Sequence, residues 1–109
     1  MKKYYCKIYS PSKGLIEDFI VLAKEDKEAA LGAVSYMLLK TFEDYNAYPD
    51  DARFSVKPLW MAYKSGELEN AEVSLLNTIN ASNMIKRLDA ELKKRRAKQT
   101  YLATRGVVE

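Results

Sequence analysis

Three consecutive segments decide the fold: Lys3-Tyr4-Tyr5-Cys6-Lys7-Ile8-Tyr9, then Ser10-Pro11-Ser12-Lys13-Gly14, then Leu15-Ile16-Glu17-Asp18-Phe19-Ile20-Val21-Leu22. The first is rich in aromatics and reads as a strand. Alternation puts Tyr4, Cys6 and Ile8 on one face and Tyr5, Lys7 and Tyr9 on the other. The second is a cluster of turn formers. The third reads as another strand, near enough to pair antiparallel with the first across a short loop. A hairpin alone is marginal in water, so a helix is expected against one face.

That helix is predicted over 26–43. Asp26 is the expected N-cap, and Glu25, Asp26 and Glu28 sit where the helix dipole favours negative charge. Ala30, Ala33, Val34, Met37 and Leu38 recur at helical spacing, widened by Leu31 and Phe42. Gly32 interrupts good helix formers at about 1 kcal/mol against alanine, which suggests a close backbone approach.

Residues 44–52 read as a loop, with Pro49 among clustered acids. Arg53 to Lys57 alternates as a short strand does. Pro58 to Gly66 reads as a short helix, with Pro58 at its first position and Gly66 just past its end, although a continued strand also fits. Leu68, Ala71, Leu75, Leu76 and Ile79 have helical spacing, with strand character around Val73. Residues 77–83 are poor helix material, and Ser82 is expected to cap a final helix from Met84 to about Lys98. The expected architecture is α+β, one domain over 1–109. An N-terminal β-hairpin packs on a helix in the 1–43 unit. A mainly helical 53–100 follows the loop and ends in a basic helix, and 101–109 reads as a flexible tail.

The composition narrows the chemistry. A chain of 109 residues suits one domain. Its 48% hydrophobic and 30% charged residues describe a globular chain, not a disordered one. Cys6 is the only cysteine, so no disulfide closes within the chain. No apolar run reaches the length of a signal peptide core or a membrane span, and the expected location is the cytoplasm. The chain has no histidine, which removes the commonest general base and the commonest transition-metal ligand. The glycines at 14, 32, 66 and 106 stand apart and form no phosphate-cradling loop. The expectation is a binding protein with no catalytic role, no cofactor and no metal. An enzyme would have to draw its acid and base from Glu, Lys or Tyr.

Charge is uneven. Residues 1–80 hold 10 Lys/Arg and 12 Asp/Glu, whereas 81–109 hold 8 and 3. On the final helix Ile85, Leu88 and Leu92 share one face, and Arg95 and Arg96 come next along that stripe. Lys93, Lys94, Arg95, Arg96 and Lys98 then surround its end. These five are the candidate nucleic-acid contacts, because phosphate binding needs cations on a positioned scaffold and no fixed motif. The plainer reading is a solvated helix end that complements its own dipole, with Asp89–Lys93 and Glu91–Arg95 as i,i+4 pairs.

Candidate protein contacts are Trp60 and Tyr63, as aromatic anchors, and Ile85, Leu88 and Leu92, which a second copy could cover in a homodimer. Core filling is the plainer reading of Trp60, Met61 and Tyr63. Tyr5 and Tyr9 beside Lys7 suit base stacking, or ordinary packing with wet hydroxyls. Glu43, Asp44, Asp50 and Asp51 keep a loop solvated or meet a basic surface. Cys6, with no histidine to activate it, reads as inert. Two functional readings follow: a regulatory protein that contacts nucleic acid through its basic helix, and a protein–protein module. The second resembles in style the small inhibitors and adaptors with which phages and mobile elements dock on a host complex.

Overall fold

The computed structural model of the protein describes residues 1–68 and 77–108. Its elements are β1 (Lys2–Ser10), β2 (Gly14–Ala23), α1 (Asp26–Glu43), β3 (Arg53–Pro58), α2 (Leu59–Lys64), β4 (Thr78–Asn80) and α3 (Ala81–Val108). The strands form one sheet in the order β3-β1-β2-β4. β1 pairs antiparallel with β2 and with β3, and β2 pairs parallel with β4. The fold is α+β, with the hairpin at the centre of a mixed sheet. Ala71, Val73, Leu75 and Leu76 lie outside the described residues.

The hairpin turns where the sequence places it. The Lys13 N–H donates to the Ser10 carbonyl at 3.2 Å, and Gly14 takes φ +85°, a region that side chains disfavour. Asp51 secures this turn from the loop before β3, accepting from the Ser10 hydroxyl at 2.8 Å and the Ser12 hydroxyl at 2.7 Å.

Alternation along β1 divides the core. Tyr4, Cys6 and Ile8 join Phe19, Val21 and Ala23 beneath Ala29 and Ala33 of α1 and Ala81 of α3. The opposite face is also covered at one point, where Tyr5 packs with Leu59 and Ala62 of α2 and with Leu68. Each large side chain so buried contributes about 1.5–3 kcal/mol.

Three local expectations are corrected. The N-cap of α1 is Glu25, which is extended (φ −150°, ψ 170°) and makes no side-chain cap. The Glu25 carbonyl accepts the first helical bond from Ala29, so Asp26 lies inside the first turn. The buried residues of α1 are Ala29, Gly32, Ala33 and Ser35, while Leu31 and Leu38 are exposed. The helix packs on both the sheet and α3, and the residues it buries there are small. Pro58 ends β3 and precedes α2, whose first residue is Leu59.

The final helix also differs from expectation. It starts at Ala81, and the cap is Asn80, whose side-chain oxygen accepts the Asn83 N–H at 3.2 Å. Ser82 lies within the first turn and donates to Glu28 of α1 at 2.7 Å. Helical backbone continues over 101–108, where the sequence pattern suggests a tail. Among the described residues, no helix is long and apolar enough to cross a membrane.

Candidate nucleic-acid interface

The basic helix is placed by contacts along its first half. Gly32 of α1 lies directly against Ala81. Glu28 holds Ser82, and the Arg95 guanidinium stacks on the Phe42 ring at 4.0 Å from its centroid. The first two turns of α1 thus meet the start of α3, and the last turn of α1 meets Arg95 further along it, so the two helices run in the same direction. Phe42 is next to the last residue of α1, so α3 passes the end of α1 just beyond Arg95. At 1.5 Å per residue, residues 96–108 extend about 20 Å further.

The stripe Ile85, Leu88 and Leu92 falls between Ala81 and Arg95 at heptad spacing and is half-buried. Ala81 and Arg95, which bracket the stripe, both touch α1. The residues that suggest a dimer seam therefore share the helix face on which α3 meets α1.

The five candidate cations divide into two groups. Lys93 pairs with Asp89 at 3.1 Å and Arg95 with Glu91 at 2.9 Å, the i,i+4 pairs that the spacing predicts. Exposed pairs of this kind contribute about 0.3–0.5 kcal/mol each. Arg95 is further engaged by Phe42. Lys94, Arg96 and Lys98 are exposed and form no ion pair among the described residues. Lys86 and Arg87, which the sequence pattern did not single out, are exposed on the same helix. The signal for them was present: each stands seven residues before a candidate, Lys86 before Lys93 and Arg87 before Lys94, which places each pair on one helix face.

A hollow of about 350 Å³ separates the two helices, lined by Leu39, Phe42 and Glu43 of α1 and by Arg87, Glu91 and Lys94 among others of α3. Its charges are mixed, so it is not an anion pocket by itself. Of the three unpaired candidates Lys94 lines it, whereas Arg96 and Lys98 lie further along α3.

The aromatic candidates are not where core filling would put them. Trp60 is 62% exposed, Met61 45% and Tyr63 41%. The α2 helix is six residues long and buries Ala62, so its larger neighbours face outward. Tyr5, by contrast, is 2% exposed and donates to Asp18 at 2.9 Å, which removes it as a stacking surface. Tyr9 lies beside Lys7, whose ammonium is 5.3 Å from the ring centroid.

Asp51, Asp44 and Cys6 have structural places. Asp51 ties the hairpin turn to the loop, and Asp44 accepts the Asn46 N–H at 3.0 Å. Cys6 is fully buried, and burial, followed by the charge of Glu17, pushes its thiol up to about 12. Glu17 itself accepts hydrogen bonds from Tyr36 and Tyr48. Both phenols are raised, first by burial and then by that carboxylate. Among the described residues, no group of three or more acidic or sulfur side chains converges as metal ligands do. Comparison with known protein families, with curated proteins and with solved structures found no match to this chain.

Proposed function

We propose that this is a small binding protein that contacts nucleic-acid phosphates through α3. The observation that supports the reading is the set Lys94, Arg96 and Lys98, exposed and without ion pairs among the described residues, on a helix that runs past its supporting helix. Such cations keep their full charge for a polyanion, and release of condensed counterions drives the association. The experiment is fluorescence anisotropy of labelled duplex DNA, single-stranded DNA and RNA at low and near-physiological salt. Wild type is compared with Lys94→Glu/Arg96→Glu/Lys98→Glu, which leaves the Arg95–Phe42 contact in place. Loss of three phosphate contacts lowers the slope of log affinity against log salt by about 2.7 on duplex DNA. Equal affinity of the two proteins for all three probes would sink the reading.

A second reading, docking on a protein partner, draws on the outer side of α1. There Leu31 is 57% exposed and Leu38 40%, with Tyr45 beyond the helix end at 87%. Contiguous exposed apolar side chains are a common mark of protein contacts. A partner captured by wild type and lost with Leu31→Asp/Leu38→Asp supports it. A partner held equally by both proteins removes it.

A further inference from the structure

We infer that Trp60 is a stacking platform for unpaired nucleic-acid bases, on a surface separate from α3. Its indole is 62% exposed, yet the short helix that carries it is firmly held. Ala62, two residues on, is fully buried and packs with Tyr5. The Ser65 N–H donates to the Met61 carbonyl at 2.9 Å, and the Glu67 N–H to the Ala62 carbonyl at 3.1 Å. Glu67 in turn holds Lys57 at 2.8 Å. With the backbone held in this way, only the side-chain torsions of Trp60 remain to be ordered when another ring stacks on it.

Trp60 borders two hollows. One, of about 410 Å³, is lined also by Lys57, Met61 and Lys64. The other, of about 600 Å³, is lined also by Lys2, Lys3, Pro58 and Leu59, with Asp26 as its only carboxylate among the described residues. Both volumes fall in the range of ligand-sized depressions. Trp60 is thus shared by two depressions, each with lysines on its border. Lys2, Lys3 and Lys64 form no ion pair among the described residues, and among those residues the border carries an excess of positive charge.

An exposed aromatic plane with cations around it is the chemistry that holds single strands. Bases stack on the ring while the lysines meet the phosphates. Duplex bases already stack on one another and cannot reach the indole without unpairing. A membrane surface would call for a ring at a projecting tip, and a residue shared by two hollows does not offer one. The charge complementarity and the paired hollows therefore favour an unpaired strand.

The surface is separable from α3 in space. Lys2 pairs with Ala23, at the end of the sheet where α1 begins, whereas Arg95 meets Phe42 where α1 ends. The test uses the full chain and an unlabelled oligothymidylate at low salt. Trp60 is the only tryptophan, so intrinsic tryptophan emission reports this position alone. The expected result is quenching by the single strand and none by a duplex. Variants that lack the tryptophan are read by anisotropy of an end-labelled oligothymidylate, with wild type measured the same way, and there Trp60→Ala weakens single-strand affinity about tenfold or more, as the loss of one stacked base implies. Trp60→Phe, which keeps a ring, recovers a large part of it. Lys2→Glu/Lys3→Glu/Lys64→Glu, with Trp60 intact, reduces both affinity and quenching. The Lys94→Glu/Arg96→Glu/Lys98→Glu protein still shows quenching, so failure of the α3 reading is distinguishable from failure of this one. Circular dichroism matching wild type establishes that each variant folds. The inference is overturned if the oligothymidylate leaves the emission unchanged, or if Trp60→Ala binds it as tightly as wild type. It is equally overturned if anionic vesicles or polyglutamate quench the emission and the oligothymidylate does not, which assigns the face to lipid or to an acidic protein.

Discussion

Gly32 and Ala81 touch so closely that a Cβ built on Gly32 stands 2.6 Å from the Ala81 Cβ and 2.7 Å from its Cα. No ordinary side chain fits there without moving one helix away from the other. Gly32→Ala gains helix propensity of about 1 kcal/mol but meets an overpacking cost of about 1–3 kcal/mol. A net loss of stability is expected, read as a lower denaturation midpoint in urea. Ala81→Gly in that background removes the opposing methyl group but leaves the backbone of residue 81 in the way, so recovery is partial.

Arg95 should behave differently from its basic neighbours. It stacks on Phe42 and pairs with Glu91, whereas Arg96 is exposed with no ion pair among the described residues. A double-mutant cycle of Arg95→Ala with Phe42→Leu is expected to give a coupling of about 0.5–1 kcal/mol. Arg96→Ala is expected to change stability by less than about 0.5 kcal/mol. Urea titrations of the variants check both. A coupling near zero would show that the ring contact contributes nothing in solution.

Tyr5→Phe removes the hydroxyl that donates to Asp18 and leaves every carbon in place. Hydrogen bonds to charged groups contribute about 1.5–3 kcal/mol, and Asp18 is only half-buried, so a loss of about 1.5 kcal/mol is expected. Combining it with Asp18→Asn separates the loss of the bond from the loss of the charge. Unchanged stability in Tyr5→Phe would mean that water replaces the hydroxyl without penalty.

Stability should decline on both sides of neutrality. Cys6 is held neutral, its pKa raised from 9.0 to about 12, first by burial. A raised pKa contributes stability that is whole below the unfolded value and is lost as pH climbs from about 9 toward 12. Tyr5, Tyr36 and Tyr48 act in the same direction above their ordinary 10.0, each chiefly through burial. Asp51, through the Ser12 and Ser10 hydroxyls, and Glu67, through Lys57, are lowered instead. Their contribution is present above the ordinary carboxylate range and disappears as pH falls through it. Denaturation midpoints across that span test the shape, and Cys6→Ala should delay the alkaline decline.

The hairpin and α1 could be read from sequence because alternation, turn chemistry and helical spacing agree over 2–43. The two-faced burial of β1 also follows its alternation, and the approach at Gly32 was implied by a glycine among good helix formers. Strand β4 could not be read. Thr78, Ile79 and Asn80 form three residues of sheet in a polar stretch, too short to show a period, and their partner is Ile20 to Leu22, far away in the chain. The direction in which α1 points its larger side chains was not legible, because the sequence does not reveal that α3 covers a second side. Core filling is the ordinary expectation for Trp60, yet burying Ala62 in so short a helix turns the tryptophan outward. Of the basic helix, the cations and two of their ion pairs were legible. The Arg95–Phe42 stack was not, since nothing local links residues so far apart.

The parallel pair of β2 and β4 has a consequence for synthesis. Val21 waits for Ile79, and Gly32 waits for Ala81, across a long stretch of intervening chain. Such long loop closures are slow and come after the local hairpin and helix have formed. A nascent chain therefore holds β1, β2 and α1 together while one sheet edge and one helix flank are still bare. That edge and flank are the surfaces on which early chains would meet one another. The arrival of residues 78–81 covers both at once, so the segment that completes the fold also ends its period of greatest exposure to aggregation.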